Sequence, residues 1–189
     1  MGRVKQFDEA EVLQRAMLSF WKRGYEKTTV RNLEHDMGIN QFSIYATFKS
    51  KEQLYKRSLE NYQHQLDREF LGPLRLANSD LSDVKSFLIK FALSIAQGKI
   101  PNSCMMVNSV REIEHFDPVI RKIVVRFFDE MKALFAKAIA NSVPMKDRSL
   151  DEGAEFLVGI AQSISIYSKI KSPSQIKSYI NFAVDRISN

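Results

Sequence analysis

The residues best equipped for acid–base, metal or redox chemistry are few and scattered in this chain. His35, His64 and His115 stand far apart with no carboxylate or cysteine at ligand spacing, so no metal site is expected. Cys104 is the single cysteine. It has no disulfide partner within the chain, which fits a reducing, cytoplasmic compartment, and in a helical stretch it reads as a small buried hydrophobe. No nucleophile elbow, phosphate loop or paired carboxylates stand out, so neither catalytic residues nor a cofactor are expected. One short run is different. From Asn40 to Lys51 the sequence NQFSIYATFKSK sets polar and aromatic side chains around two apolar anchors, Ile44 and Phe48, spaced by four. Gln41 and Ser43 carry groups that hydrogen-bond base edges, Phe42 can pack on a thymine methyl, and Tyr45 can offer its hydroxyl to a phosphate. Lys49 and Lys51 flank a helix N-terminus, where unpaired backbone amides already favour a phosphate.

Such side chains must be held on a short, rigid helix, and the flanking sequence supplies one. A first helix opens at Asp8 as its cap, with Phe7 and Val12 as a hydrophobic staple and Leu13, Ala16, Met17, Phe20 and Trp21 as its stripe; Gly24 ends it. A second begins at Thr28 or Thr29 and runs to Met37, where Gly38 allows a sharp stop. The third starts two residues later with Asn40 as its cap. A helix, a glycine turn and a second short helix form the geometry in which the second enters a major groove while the first braces it across the backbone. Glu34, His35 and Asp36 face outward by period and are expected to put negative charge near that side. Ser50 with Gln53 reads as a capping box for a longer helix running past Tyr62.

Beyond Leu71 the Gly72-Pro73 pair marks a break, and the remainder reads as a separate helical bundle. Val84, Phe87, Leu88, Phe91, Ala92 and Ile95 share one face; Cys104, Val107, Val110, Arg111 and Glu114 lie along the next helix. After Pro118 comes the longest periodic run, Ile120 to Ile139. Ser149 and Glu152 cap a segment, Ala154 to Ile170, that is apolar on nearly every side and so needs cover on both faces. Ser172, Pro173 and Gln175 open the last helix, striped by Ile176, Tyr179, Ile180, Ala183 and Ile187. No convincing strand appears. The expected fold is all-α with about nine helices: residues 1–50 as a three-helix unit, 51–65 as a connecting helix, and 66–189 as the bundle.

Composition agrees. The 189 residues are 44% hydrophobic with a net charge of +6, which suits a folded chain that favours acidic partners. Residues 22 to 57 hold eight basic groups against four acidic ones, two thirds of the whole excess. The first twelve residues lack the apolar core and cleavage site of a signal peptide, and no apolar run approaches the roughly 20 residues of a membrane span, so no membrane association is expected.

The stretch GYEKTTVRNLEHDMGINQFSIYATFKSKEQLY resembles the DNA-binding domain of the TetR family of bacterial transcriptional regulators. It keeps the Gly24-Tyr25 exit, the Thr28-Thr29 start, Gly38, the Tyr45 to Phe48 segment and the Lys49-Ser50-Lys51 junction with Leu54. The resemblance implies phosphate contacts from Thr29, Tyr45 and Lys51 and base or sugar contacts from Arg31, Gln41, Phe42, Ser43 and Thr47; Asn40 and Lys49 complete the DNA-binding set. It implies a homodimer on a palindromic operator in double-stranded DNA, joined through the last two helices, with Phe156, Gly159, Ile160, Ser163, Tyr167, Tyr179, Phe182 and Arg186 as interface candidates. It also implies a small, largely apolar effector that releases a repressor. Phe87, Phe91, Cys104, Met105, Phe127, Phe128 and Met131 read as plain core or as the lining of that effector's cavity, since ligand sites in bundles lie between helices. An activator, or a helical carrier or enzyme with a vestigial DNA domain, stays open at this stage.

Overall fold

The first turn of the chain's first helix is organised by one carboxylate: Asp8 Oδ1 accepts the Ala10 N–H at 2.9 Å and starts α1, Glu9–Arg23. In the computed structural model, which describes residues 7–101, 103–144 and 147–188, eight further helices of six or more residues follow: α2 Val30–Met37, α3 Gln41–Phe48, α4 Lys51–Leu66, α5 Leu81–Ala96, α6 Met105–Val110, α7 Pro118–Ser142, α8 Asp147–Tyr167 and α9 Pro173–Ser188. No strand occurs among the described residues. The buried face of α1 is Val12, Ala16, Met17, Phe20 and Trp21, with Leu13 only half-buried, and each such large side chain removed from water contributes about 1.5–3 kcal/mol. That face packs on α4.

Four boundaries differ from the sequence reading, each for a local reason. The break expected at Gly72-Pro73 is absent: α4 runs into a π-turn, Asp67–Leu71, and then a helical turn, Gly72–Arg75, and the chain turns away only at Leu76. Proline costs little there because it stands in the first turn of a new helical segment, where its missing N–H has no partner to lose. α6 stops at Val110 and a 3₁₀ turn, Ile113–His115, follows, so Arg111 and Glu114 are not on its face. α8 begins at Asp147, which puts Ser149 inside the first turn rather than at the cap, and it ends at Tyr167, three residues before Ile170. Elsewhere the caps fall as read: Ser50 Oγ accepts from Gln53 N at 3.1 Å, and Ser172 and Gln175 bond reciprocally at the start of α9.

Long α7 and α8 pack together, and α9 packs on α5. Buried apolar side chains form one connected cluster from Val12 to Ile187, so no linker separates residues 1–50 from the bundle; α4 belongs to both.

Candidate nucleic-acid interface

The α2–α3 unit is held by backbone caps and by one bond between its helices. Thr29 Oγ1 accepts from Asn32 N at 3.1 Å while Thr29 N donates to Asn32 Oδ1 at 3.0 Å, closing a reciprocal cap on α2. Gly38, at φ 70°, ends α2 in the left-handed region that glycine enters without a Cβ penalty. Two residues on, Asn40 Oδ1 accepts from Ser43 N at 2.8 Å. Glu34 Oε1 reaches from α2 to accept the Gln41 N–H at 2.6 Å, filling one of the amide positions that open α3. Leu33 and Met37 from α2 and Ile44 and Phe48 from α3 are buried beneath.

These bonds correct the expected acidic face. Glu34 is spent on the start of α3. Asp36 turns toward α1, where its Oδ2 lies 2.7 Å from Arg23 Nη1. Desolvation pushes the Asp36 carboxyl up but is outweighed by hydrogen bonds from His35, Arg23 and Ser19 and by the Arg23 charge, which bring it down to about 2. Of the three residues only His35 is exposed, with an 88% exposed side chain whose Nδ1 lies 3.0 Å from Asp36 Oδ1.

Above that base the groups expected to meet DNA are presented together. Thr29, Arg31, Asn40, Gln41, Phe42 and Lys49 are exposed, and Ser43, Tyr45, Thr47 and Lys51 are half-buried. Phe42 is 84% exposed, an unusual place for a large apolar ring. Thr29 proves to be committed to its cap, since its hydroxyl also donates to Asn32 Oδ1 at 2.8 Å. Lys51 Nζ sits 4.3 Å over the Tyr25 ring, which fixes the ammonium beside the N-terminus of α4. Desolvation lowers the Lys51 pKa, and Glu26 and Glu112 act against it. Burial, with the charges of Glu52 and Glu26, pushes the Tyr25 phenol up to about 12, so the platform stays neutral. Nothing in residue spacing announces the Glu34 bond, the Arg23–Asp36 pair or the Tyr25 platform; each depends on how α1, α2 and α4 pack.

The bundle offers two other features. Phe87, Phe91, Cys104, Phe127, Phe128 and Met131 line one apolar cavity with Leu66, Val107, Ala161, Gln162 and Ser165, with room for only about 10 Å³ in its present packing. It consists of narrow crevices rather than an open chamber. Met105 does not line it and is core at 1% exposure. Burial raises the Cys104 thiol, which receives a hydrogen bond from the Tyr62 hydroxyl at 3.3 Å, an environment that disfavours the thiolate. On α8 and α9 an apolar stripe lies uncovered: Phe156 and Tyr167 are each 45% exposed, Phe182 is 61% exposed, and Gly159 lies exposed between them with open space where a Cβ would stand. Tyr179 stacks on Tyr167 at 5.7 Å and bonds Ser163 at 3.0 Å, and Arg186 lies 4.9 Å over the Phe182 ring. Ile160 turns inward and packs within its own protomer. No helix of the described residues is long and apolar enough to cross a membrane.

Comparison with known proteins matches this geometry. Residues 12–57 match the family described as bacterial regulatory proteins, tetR family. Over 135 residues the chain is 26% identical to YezE, an HTH-type transcriptional regulator of Bacillus subtilis (strain 168), covering 71% of this chain and 70% of that one. It is 31% identical to the HTH-type transcriptional repressor ComR of Escherichia coli (strain K12) over 112 residues, 57% of this chain and 52% of ComR. Among solved structures, a cysteine mutant of the TetR family transcriptional regulator CifR, complexed with 26 bp of double-strand operator DNA, superposes with a TM-score of 0.83 at 26% identity, covering 97% of this chain and 98% of the other.

Proposed function

Since the chain belongs to the TetR family of bacterial transcriptional regulators, we propose that it binds a palindromic operator in double-stranded DNA as a homodimer and represses transcription until a small, largely apolar effector releases it. The observation that carries this reading is α3 itself. Its inner residues Ile44 and Phe48 are buried, its outer face exposes Gln41 and Phe42, and Lys49 and Lys51 follow its last turn, with Arg31 exposed at the start of α2. That is the division of labour a major-groove helix requires, with cations on phosphates and short polar or apolar groups on base edges. The operator complex of CifR, which this chain matches along nearly its whole length, supports operator binding by this fold.

Dimerisation follows from the stripe on α8 and α9. A glycine in mid-helix costs roughly 1 kcal/mol relative to alanine, and at Gly159 that cost makes sense if a partner helix approaches closely. The cavity between α4, α5, α6, α7 and α8 is the effector site in this reading; its lining of four phenylalanines, Met131 and Cys104 selects apolar ligands. The protein works in the cytoplasm, with no catalytic step of its own. Effector and operator then act reciprocally, each weakening the other's affinity by the same factor.

A mobility-shift titration on the DNA upstream of the gene, run at several salt concentrations, tests the reading. Binding should fall steeply with salt, by about 0.9 in log–log slope per phosphate contact. Lys51→Ala should weaken binding to every sequence and flatten that slope, whereas Gln41→Ala should relax discrimination at one base pair. Absence of binding at any salt would favour a carrier with a vestigial DNA domain. Operator affinity that no apolar ligand changes across a broad set would leave a constitutive binder.

A further inference from the structure

A pocket of about 100 Å³, several times the space one water needs, lies between α1, the end of α4 and α5. Leu18 and Trp21 reach it from α1, Tyr62, Gln65 and Leu66 from α4, and Phe91 from α5. Leu66 and Phe91 also line the apolar cavity, so the two spaces lie on either side of a shared wall. Glu69 and Phe70 belong to the π-turn Asp67–Leu71. Such turns are rare and gather at functional sites, because the extra residue takes side chains out of the regular helical facing.

Four rings wall the pocket. Trp21 and Tyr62 meet edge to face at 4.8 Å, and Phe70 and Phe91 do so at 5.5 Å, which suits a flat apolar body lying among them. The polar atoms on those rings are already engaged: Trp21 Nε1 donates to the Ser103 carbonyl at 2.7 Å and the Tyr62 hydroxyl to Cys104 Sγ at 3.3 Å. Gln65 is different. Its Oε1 is buried and has no hydrogen-bond partner within the chain. The other half of the amide fixes which atom is the oxygen, since Nε2 donates to Glu69 Oε1 at 3.1 Å and a flipped amide would set oxygen against carboxylate. A buried acceptor without a donor is costly, so a donor belongs at this atom.

The charged groups select the rest of the ligand. Lys99 is exposed where it lines the pocket, and Glu69, the one carboxylate of the lining, is engaged by Gln65. Lys90 stands 5.2 Å over the Phe70 ring and donates to the Glu69 carbonyl at 2.6 Å. Two ammonium groups therefore face one carboxylate, which favours an anion at the rim. The orphan oxygen is buried and Lys99 is exposed, so the donor and the acid stand at opposite ends of the ligand.

We propose that this pocket is a binding site for a single-ring aromatic acid: the ring lies among Trp21, Tyr62, Phe70 and Phe91, the carboxylate meets Lys99 at the rim, and a hydroxyl or N–H at the far end of the ring donates to Gln65 Oε1. The site differs from the apolar cavity in place and in chemistry, and it stands whether or not the chain binds an operator.

Trp21 is the single tryptophan of the chain, so its fluorescence in the full-length protein reports on this pocket alone. Titration with para-hydroxybenzoate should change that emission saturably, with N-acetyltryptophanamide as the blank for light absorbed by the ligand. Benzoate, which lacks the donor, and para-hydroxybenzyl alcohol, which lacks the charge, should each bind about tenfold more weakly. Lys99→Ala, at an exposed side chain, should weaken para-hydroxybenzoate about tenfold and leave the alcohol unchanged. Gln65→Leu should abolish the preference for para-hydroxybenzoate over benzoate, with Gln65→Met as a second version should leucine disturb the end of α4. Emission that never saturates, or binding of para-hydroxybenzoate that none of these variants weakens, would overturn the proposal and leave the pocket to water.

Discussion

The DNA-facing helices and the bundle hold their functional groups in opposite ways. On and beside α2 and α3 those groups break the habits of a stable surface: Phe42 is 84% exposed and Lys49 adopts φ 72°. In the bundle the candidate effector residues obey every habit of a core, with Phe87 and Phe91 at 4% and Phe127 and Met131 at 5% exposure around crevices. A stiff, charged polymer can be met by a preformed surface, so its site stands open in the free protein. A small apolar molecule would have to be enclosed, so a site for it among these residues would hide in packing and open only as that packing moves. The stripe on α8 and α9 would belong with the first kind, because a second protomer, like DNA, would meet what is already exposed.

The comparison breaks most visibly if that stripe is not an interface. Phe182→Asp places a charge on its most exposed ring and should leave the protomer's helicity intact, since Phe182 buries little within its own chain. The homodimer should dissociate, and operator affinity should fall on the order of 100-fold or more as the two half-sites lose their linkage. Sedimentation of the variant, paired with a binding isotherm, checks both parts. A variant that still sediments as a dimer places the interface elsewhere.

A smaller effect separates reading from gripping. Phe42→Ala removes an apolar contact to a base edge and no charge, so operator affinity should drop by about 1–2 kcal/mol, roughly tenfold, while affinity for unrelated DNA and the salt slope stay where they were. Equal losses on operator and random DNA would mean that Phe42 packs on the sugar–phosphate backbone and that base readout rests on Gln41 and Ser43.

The same contrast explains what the sequence could disclose. Helix starts at Asp8, Thr29, Asn40 and Ser50 were legible because a cap is a local bond between a side chain and an amide two or three residues on. The short helix α3 was legible because its two buried anchors, Ile44 and Phe48, are separated by a single helical turn. Asp36 was misjudged as an outward charge because period alone does not know that Arg23 of α1 lies alongside. Glu112 gave no signal at all: its partners lie 86 and 87 residues away and are backbone amides, which carry no sequence identity. The cavity stood between these cases. Six of the seven residues named for it do line it, but their types, phenylalanine, methionine and cysteine, are those of any core.

The finest test sets fold against function at one residue. Only Lys49 and Ser50 separate α3 from α4, and the Ser50 N–H returns to the Phe48 carbonyl at 2.9 Å across Lys49, whose φ of 72° and ψ of −53° form the strained kind of γ-turn. A lysine held there costs about 1–3 kcal/mol, part of which glycine would recover against its own larger unfolded-state entropy. Lys49→Gly should therefore stabilise the fold by about 1 kcal/mol, raising the melting temperature by roughly 2–4 °C for a chain of this size. Removing one cation from each reading head should at the same time weaken DNA binding a few-fold and reduce the salt slope by about 1.8 for the dimer. Gains in stability and losses in affinity moving together would show that the strain is kept for the sake of a phosphate contact. A stabilised variant that binds as before would leave the Lys49 backbone without a functional reason, and phosphate binding at this junction would then belong to Lys51.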